Sequence, residues 1–196
     1  MRSSLPSEQT NRLEKLKETQ EQLSNEWTDY WFDYSAFDTW QFWLNVAFVI
    51  IPLILIYFFI DRKKIFLLGF FGFNIHVWSA YLDATVTRAN YIEYPYNAVP
   101  FTPIQFGMDT SLIPVLFMLL YQWSLNKGKN FYLYALLLIA GISFIVKPLC
   151  SAHHLMHLKQ GANYIHIFVA YIVITLVSIL ITNLFRYLHN KEKRTA

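Results

Sequence analysis

Ionisable side chains stand inside long apolar stretches of this 196-residue chain, where they could do chemistry that a surface residue could not. The clearest are His76, Asp83, Asp109 and Lys147, each flanked by mainly apolar residues. In hydrocarbon an ionisable group without a partner is costly, so such groups mark a binding site, an ion path or a structural ion pair. These residues are therefore the first candidates for function.

Spacing places several of these residues together. His76, Ala80, Asp83 and Thr87 follow one another at steps of four, three and four, which puts them on one helical stripe. The segments around this stripe supply further charged residues at the same ends of their apolar stretches. We predict a polar cup with five ligand-binding residues: His76, Asp83, Arg88, Asp109 and Lys147.

The same residues have plainer interpretations. Asp83, Arg88 and Asp109 could form a structural ion-pair network that neutralises charges at membrane depth. An ion or substrate path is a second alternative, and catalysis a third. Lys147 could extend its ammonium group to the outer headgroups instead of turning inward.

Histidines cluster near the end of the fourth apolar stretch, in the sequence His153-His154-x-x-His157, with His166 nearby. Imidazoles at positions i and i+3 share a helix face and suit zinc, copper or iron, provided that the helix continues past Pro148. We take His154, His157 and His166 as a candidate metal site. A haem bridging His76 and His166 is an alternative, and so is an ordinary polar helix end.

Composition limits the class of protein. Hydrophobic residues make up 55% of the chain and charged residues 15%, whereas soluble domains have about a quarter charged. The net charge of +3 gives no nucleic-acid signature, since the basic residues stand mostly at the ends of apolar stretches. A single cysteine, Cys150, excludes an intrachain disulfide. No nucleotide-binding or nucleophile-elbow motif occurs, and no secretory signal peptide is expected.

The apolar stretches are long enough to cross a bilayer, which takes about 20 residues. The sequence predicts an all-α integral membrane bundle of about five transmembrane helices with an N-terminal interfacial helix. Residues 1–39 form an amphipathic, aromatic-rich segment, 40–188 the bundle and 189–196 a basic tail. The predicted spans are 40–60, 65–84, 104–123, 131–150 and 165–184, and a proline-containing irregular loop covers 85–103.

Basic residues are distributed unevenly between the two sides of this arrangement. One side of a five-span bundle collects the following: Arg62, Lys63, Lys64, Lys127, Lys129, Arg186, Lys191, Lys193 and Arg194. The opposite side has Arg88, Lys147 and Lys159. Because cytoplasmic loops are enriched in Lys and Arg, we expect the C-terminus in the cytoplasm, the N-terminus outside and the plasma membrane as location.

Block by block, the chain resembles an uncharacterised family of small multi-pass membrane proteins from spore-forming Firmicutes. The resemblance covers residues 37–188 and rests on blocks such as FDTWQFWLNV, FFIDRKKIFLLGFFGFNIHVW, YPYNAVPF and NYIHIFVAYIVITLVSILITNLF. It implies a membrane bundle and supplies no activity. The stretch CSAHHLMHL is unusual for that family, so the resemblance gives no support to a shared histidine chemistry.

We expect a non-enzymatic membrane protein whose extracytoplasmic polar cup binds a small ligand or ion. A transporter or channel component is one alternative, and it requires that Asp83 and Asp109 face a water-filled cavity. A metal- or haem-binding membrane protein is the other. The expected partners are the lipid bilayer, a small ligand or ion, and a second copy in a homo-oligomer, with no nucleic acid.

Overall fold

The chain is an α-helical bundle in this computed structural model, which describes residues 6–102 and 104–195. Pro103 of the predicted irregular loop lies outside the described residues. The helices and strands, in chain order, are α1 (Ser7–Tyr34), α2 (Trp40–Phe59), α3 (Ile65–Arg88), β1 (Ile92–Glu93), α4 (Ile113–Lys127), α5 (Phe131–Gly141), α6 (Lys147–Ala152), β2 (His157–Leu158) and α7 (Tyr164–Thr195). A short 3₁₀ turn, Arg62–Lys64, joins α2 to α3.

In the part of the chain that the structure describes, four helical runs are long and apolar enough to cross a membrane. They are Trp40–Phe59, Arg62–Arg88, Phe131–Ala152 and Tyr164–Lys191. The predicted third span is also helical, over residues 106–127, but it is not among the four. Polar residues such as Asp109 and Gln122 lower its apolar content. The all-α bundle is confirmed, with four strongly apolar helical runs and one more polar one.

Large apolar side chains on the outside of the bundle indicate whether water or hydrocarbon surrounds it. Ile54, Phe58 and Phe66 are among many that stay exposed, Phe66 to 91% of its surface. In water an apolar belt of this extent would be an aggregation hazard, whereas hydrocarbon accommodates it at no cost. The outer surface is therefore that of a membrane protein.

Helix α3 packs against both α4 and α7 and lies at the centre of the bundle. Its residues Leu68, Phe71 and Ile75 are completely buried. Phe71 meets the rings of Tyr121 and Phe131 at centroid distances of 4.7 and 5.6 Å, so aromatic packing fills one end of the core. The predicted second span thus continues to Arg88, four residues beyond its predicted end.

Helix α1 is 28 residues long and, apart from Trp31, exposes its side chains. Its C-terminal end is fastened to the loop that follows β1. The indole N–H of Trp31 donates to the Asn97 carbonyl at 2.8 Å, and the Ser35 hydroxyl donates to the Pro95 carbonyl at 3.0 Å. The N-terminal helix therefore meets the bundle on the side of this loop.

Two π-helical segments interrupt the bundle helices. Met108–Leu112 precedes α4, and Ile142–Val146 precedes α6. Each ends two residues before a proline, Pro114 or Pro148. A proline lacks the N–H that a regular helix needs there and crowds the carbonyl four residues earlier, and a wider turn relieves that conflict. Asp109 lies inside the first segment and Lys147 directly follows the second.

Two loops pair as a minimal antiparallel sheet. Ile92 of β1 lies opposite Leu158 of β2, and Glu93 lies opposite His157. The Lys159 N–H extends the pairing by donating to the Tyr91 carbonyl at 2.9 Å. The prediction for 85–103 contained no strand, since two residues carry no recognisable alternation.

Candidate functional site

A cavity of about 420 Å³ lies between α3, α6, α7 and the paired loops. Its walls are mostly apolar and include Leu82, Val86, Ile92, Ile167 and Ile174. Ten side chains with polar groups line it: Ser79, Asp83, Tyr91, Tyr94, Asp109, Lys147, Gln160, Asn163, His166 and Tyr171. The cavity therefore has an apolar body with charged groups gathered along part of its wall.

Asp83 has hydrogen-bond donors on both carboxylate oxygens. The Tyr94 hydroxyl donates to Oδ1 at 2.6 Å, and the Gln105 backbone N–H donates to Oδ2 at 3.0 Å. Burial raises the pKa of Tyr94 well above its usual range, and the neighbouring Asp83 adds to the effect. Tyr94 thus keeps its proton and remains a hydrogen-bond donor to Asp83.

Asp109 is only 3% exposed, and its Oδ2 has no hydrogen-bond partner. Its carboxyl group interacts with that of Asp83 and with the charge of Lys147. Nδ1 of His76 lies 2.9 Å from the Asp109 backbone carbonyl oxygen. Because that oxygen only accepts, Nδ1 carries the proton and donates. His76 therefore holds the backbone of the π segment in place beneath the cavity.

Lys147 is 4% exposed and turns into the bundle, where the predicted polar cup places it; the alternative that its ammonium group reaches the outer headgroups is wrong. Its Nζ lies 4.0 Å from Sδ of Met108, a weak contact. Its electrostatic neighbours include Tyr171, Asp109 and Asp83. Over residues 6–102 and 104–191, the ion pairs within 4.0 Å are Lys64–Asp61 and Lys159–Glu93. The Lys147 ammonium group is thus near two carboxyl groups without touching either.

Arg88 does not belong to this group. It is exposed at the end of α3 and forms neither of those two ion pairs. The cavity takes its positive charge from Lys147 instead. The alternative of an ion-pair network of Asp83, Arg88 and Asp109 is wrong in its cation, because Arg88 lies five positions after Asp83 on α3, which turns the two side chains to different faces of the helix.

The paired loops form the mouth of the cavity. Tyr91, Ile92 and Leu158 line it from β1 and β2, and Gly161 lines it from the turn that follows. Gly161 has φ of +77°, a conformation that glycine adopts without strain. Glu93 and Lys159 close the outside of the pairing at 2.5 Å, with side chains 43% and 53% exposed. At such exposure the ion pair adds little stability, so the backbone hydrogen bonds between β1 and β2 are what keep the two loops together at the mouth of the cavity.

The three predicted metal ligands do not form one metal-ligating group in the part of the chain that the structure describes. Helix α6 ends at Ala152, and His154 has φ of +59°, so the helical stripe that would join it to His157 does not form. The rings of His154 and His157 are 5.6 Å apart, while His166 lies at the start of α7, where its Nδ1 accepts from the Asn163 N–H at 3.2 Å. Among the described residues, no three His, Cys, Asp or Glu side chains converge to hold a metal ion.

Two site residues were missed from sequence: Tyr94 and Tyr171. Tyrosine is too common here, at 13 residues, to mark a position. The prolines did carry a usable signal, because Pro114 and Pro148 each stand inside a long apolar helix and mark a break in its ladder.

Comparisons of the chain with models of protein families, with curated proteins and with solved structures find no match. The site is interpreted from its own chemistry.

Proposed function

We propose that this chain is a plasma-membrane protein that binds a small amphiphilic ligand in the cavity between α3, α6 and α7. The observation that carries the proposal is the pair Asp109 and Lys147. Both are almost fully buried, both line an apolar-walled cavity, and one Asp109 oxygen has no partner.

A purely structural role would leave a different arrangement. A buried carboxylate and ammonium that serve only stability are expected in direct contact with their remaining hydrogen bonds satisfied, because desolvation is costly otherwise. Here no carboxylate oxygen lies within 4.0 Å of Lys147 among the described residues. The volume of about 420 Å³ is within the range of small-molecule pockets, about 300–1,000 Å³.

The uneven distribution of basic residues supports an extracytoplasmic mouth. Lys63, Lys64 and Lys127 stand at the opposite end of the bundle from β1 and β2. Under the positive-inside rule that end is cytoplasmic. Asp83, Asp109 and Lys147 then receive a ligand that enters from outside or from the outer leaflet.

A binding role is favoured over catalysis. Cys150 is buried and packed, and the described part of the cavity holds no serine, threonine or cysteine side chain in hydrogen-bond contact with a base.

Calorimetry of the purified protein in detergent tests the proposal. Hexanol, hexylammonium and hexanoate share one apolar body and differ in headgroup. We expect at least one of the three to saturate a single site. The Ala170→Phe variant, which places a ring in the cavity, should lose that signal. The Val169→Phe variant, with its ring on the exposed face of α7, should keep it. Equal signals from both variants, or no saturable binding, would contradict the proposal.

A transporter is the second candidate, favoured by one observation. Asp83 and Asp109 both line the cavity, and one carboxyl oxygen of Asp109 has no hydrogen-bond partner. In a Cys150→Ser background, cysteines at Ala162 near the mouth and at Ile174 deeper in α7 would distinguish the two. A binding protein is labelled from outside only, whereas a transporter becomes labelled at Ile174→Cys from the cytoplasmic side as well.

A further inference from the structure

If the proposed ligand binding is correct, the charges of the residues around the cavity determine which headgroup it accepts. The ionisable groups around Asp109 and Lys147 come from every surrounding element: His76 and Asp83 of α3, Tyr91 and Tyr94 on either side of β1, Cys150 of α6, and His166 and Tyr171 of α7. With the histidines counted as neutral, the formal charges to balance are those of two carboxyl groups and one ammonium group. With all three ionised the cavity has a net charge of −1.

The hydrogen bonds of the two carboxyl groups differ, and the difference indicates which of the two is ionised. Asp83 accepts one donor on each oxygen, which is the pattern of a carboxylate. Asp109 lies against it with Oδ2 unpartnered and almost fully buried. Two adjacent carboxyl groups in a poorly solvated site do not both ionise, and one of them keeps a proton. In the empty cavity Asp83 therefore balances Lys147, and Asp109 is the protonated member.

We propose that the cavity binds a primary alkylammonium ion and releases the proton of Asp109 in exchange. The incoming R–NH₃⁺ keeps its own protons and donates an N–H to Asp109 Oδ2. The O–H bond of Asp109 breaks, and its proton leaves to solvent. One positive charge enters and one leaves, so the cavity stays neutral.

Other ligands fit the cavity less well. A carboxylate headgroup would meet Lys147 but would also face Asp83 and Asp109. A bare metal cation needs a shell of oxygen or nitrogen ligands, and the wall beyond the polar groups is built from Leu82, Val86, Ile167 and Ile174. An alkyl chain covers those residues, and an ammonium group supplies the donor that Asp109 lacks.

Hexylammonium chloride is the probe, and its calorimetry is repeated at one pH in buffers of different ionisation enthalpy. The slope of the observed enthalpy against buffer enthalpy gives the protons released per ligand. We expect one proton for the unaltered protein and for Asp33→Asn, an exposed control on α1. Asp109→Asn should release none and bind about tenfold to a hundredfold more weakly. Asp109→Glu keeps the carboxyl group and should retain the release, which separates this effect from a folding defect.

The headgroup series separates this inference from the proposed function. Tighter binding of hexanoate than of hexylammonium would overturn the cation selectivity while leaving an amphiphile-binding protein. Saturable hexylammonium binding without proton release would overturn the exchange. Failure of hexanol, hexylammonium and hexanoate alike would overturn both proposals.

Discussion

Lys147 supplies the only described ammonium group near the two carboxyl groups of the cavity, so its removal leaves the charge of Asp83 uncompensated. We expect Lys147→Met to lower the free energy of unfolding by about 1–3 kcal/mol, the usual cost of an unsatisfied buried polar group. Adding Asp83→Asn to Lys147→Met should recover part of that loss, because the carboxylate that Lys147 balanced is gone. Thermal unfolding of the two single variants and the double variant measures the coupling; strictly additive losses would contradict it.

At the opposite end of the bundle, we expect the contribution of Asp61 to stability to depend on pH. The Lys63 N–H, which donates to Oδ1 at 3.0 Å, holds the pKa of Asp61 below its usual range, and Lys64 at 3.3 Å contributes. A carboxyl group with a lowered pKa stabilises the fold above its unfolded pKa of about 4, and this contribution is lost as pH falls through the folded pKa.

Hydrogen exchange at the Lys63 amide measures this contribution. After correction for the intrinsic rate, protection should fall as the solution is acidified below about pH 4. In Asp61→Asn the side-chain carbonyl can still accept from Lys63, so protection should be independent of pH in this range. A parallel fall in both proteins would exclude Asp61 as its cause.

At the scale of elements, the approach of α2 to the first π segment depends on Gly107. A Cβ atom there would lie 2.6 Å from the Asn45 carbonyl oxygen and 3.0 Å from Cβ of Phe48. Backbone cannot move aside as a side-chain tip can, so Gly107→Ala should destabilise the protein by about 1–3 kcal/mol. Gly69→Ala, inside α3 with no atom within 4 Å of the new methyl group, should be neutral or stabilise by up to about 1 kcal/mol. Denaturation of the two variants under the same conditions compares them.

The helices were predictable because the bilayer fixes their length and an apolar run of that length has few alternatives. The place of Lys147 in the polar cup was predicted as well, but the element that directs its side chain inward was not. A regular helix continued from α5 would turn this side chain differently, and the π segment Ile142–Val146 alters its position around the axis. The helical stripe predicted through His154 and His157 does not form for a related reason, because His154 adopts a left-handed backbone conformation. Asp83 and Asp109 were identified correctly as neighbours because helix spacing and membrane depth suffice to select them.

At the scale of the whole molecule, the number of crossings determines the sides on which the chain begins and ends. If residues 106–127 cross together with the four apolar helical runs, the two ends of the chain lie on opposite sides; with four crossings they share one side.

Cysteine labelling decides between five and four crossings. In a Cys150→Ser background, Ser24→Cys on α1 and Asn190→Cys on α7 place exposed thiols at the two ends. We expect a membrane-impermeant maleimide to label Ser24→Cys in intact cells and Asn190→Cys only after permeabilisation. Labelling of both in intact cells, or of neither, would exclude the five-crossing topology.

The cavity walls come from residues spread between Ser79 and Ile174, and α7 supplies Tyr171 and Ile174 last. Asp83 and Asp109 are therefore translated before Lys147. A lysine at the centre of a transmembrane helix costs about 2.5–3.5 kcal/mol to insert, and Lys147 lies near the end of its apolar run, Phe131–Ala152, where the cost is smaller. An acidic partner from an earlier segment lowers the cost further, so we expect Asp83 to help the run that carries Lys147 to settle into the bundle during synthesis.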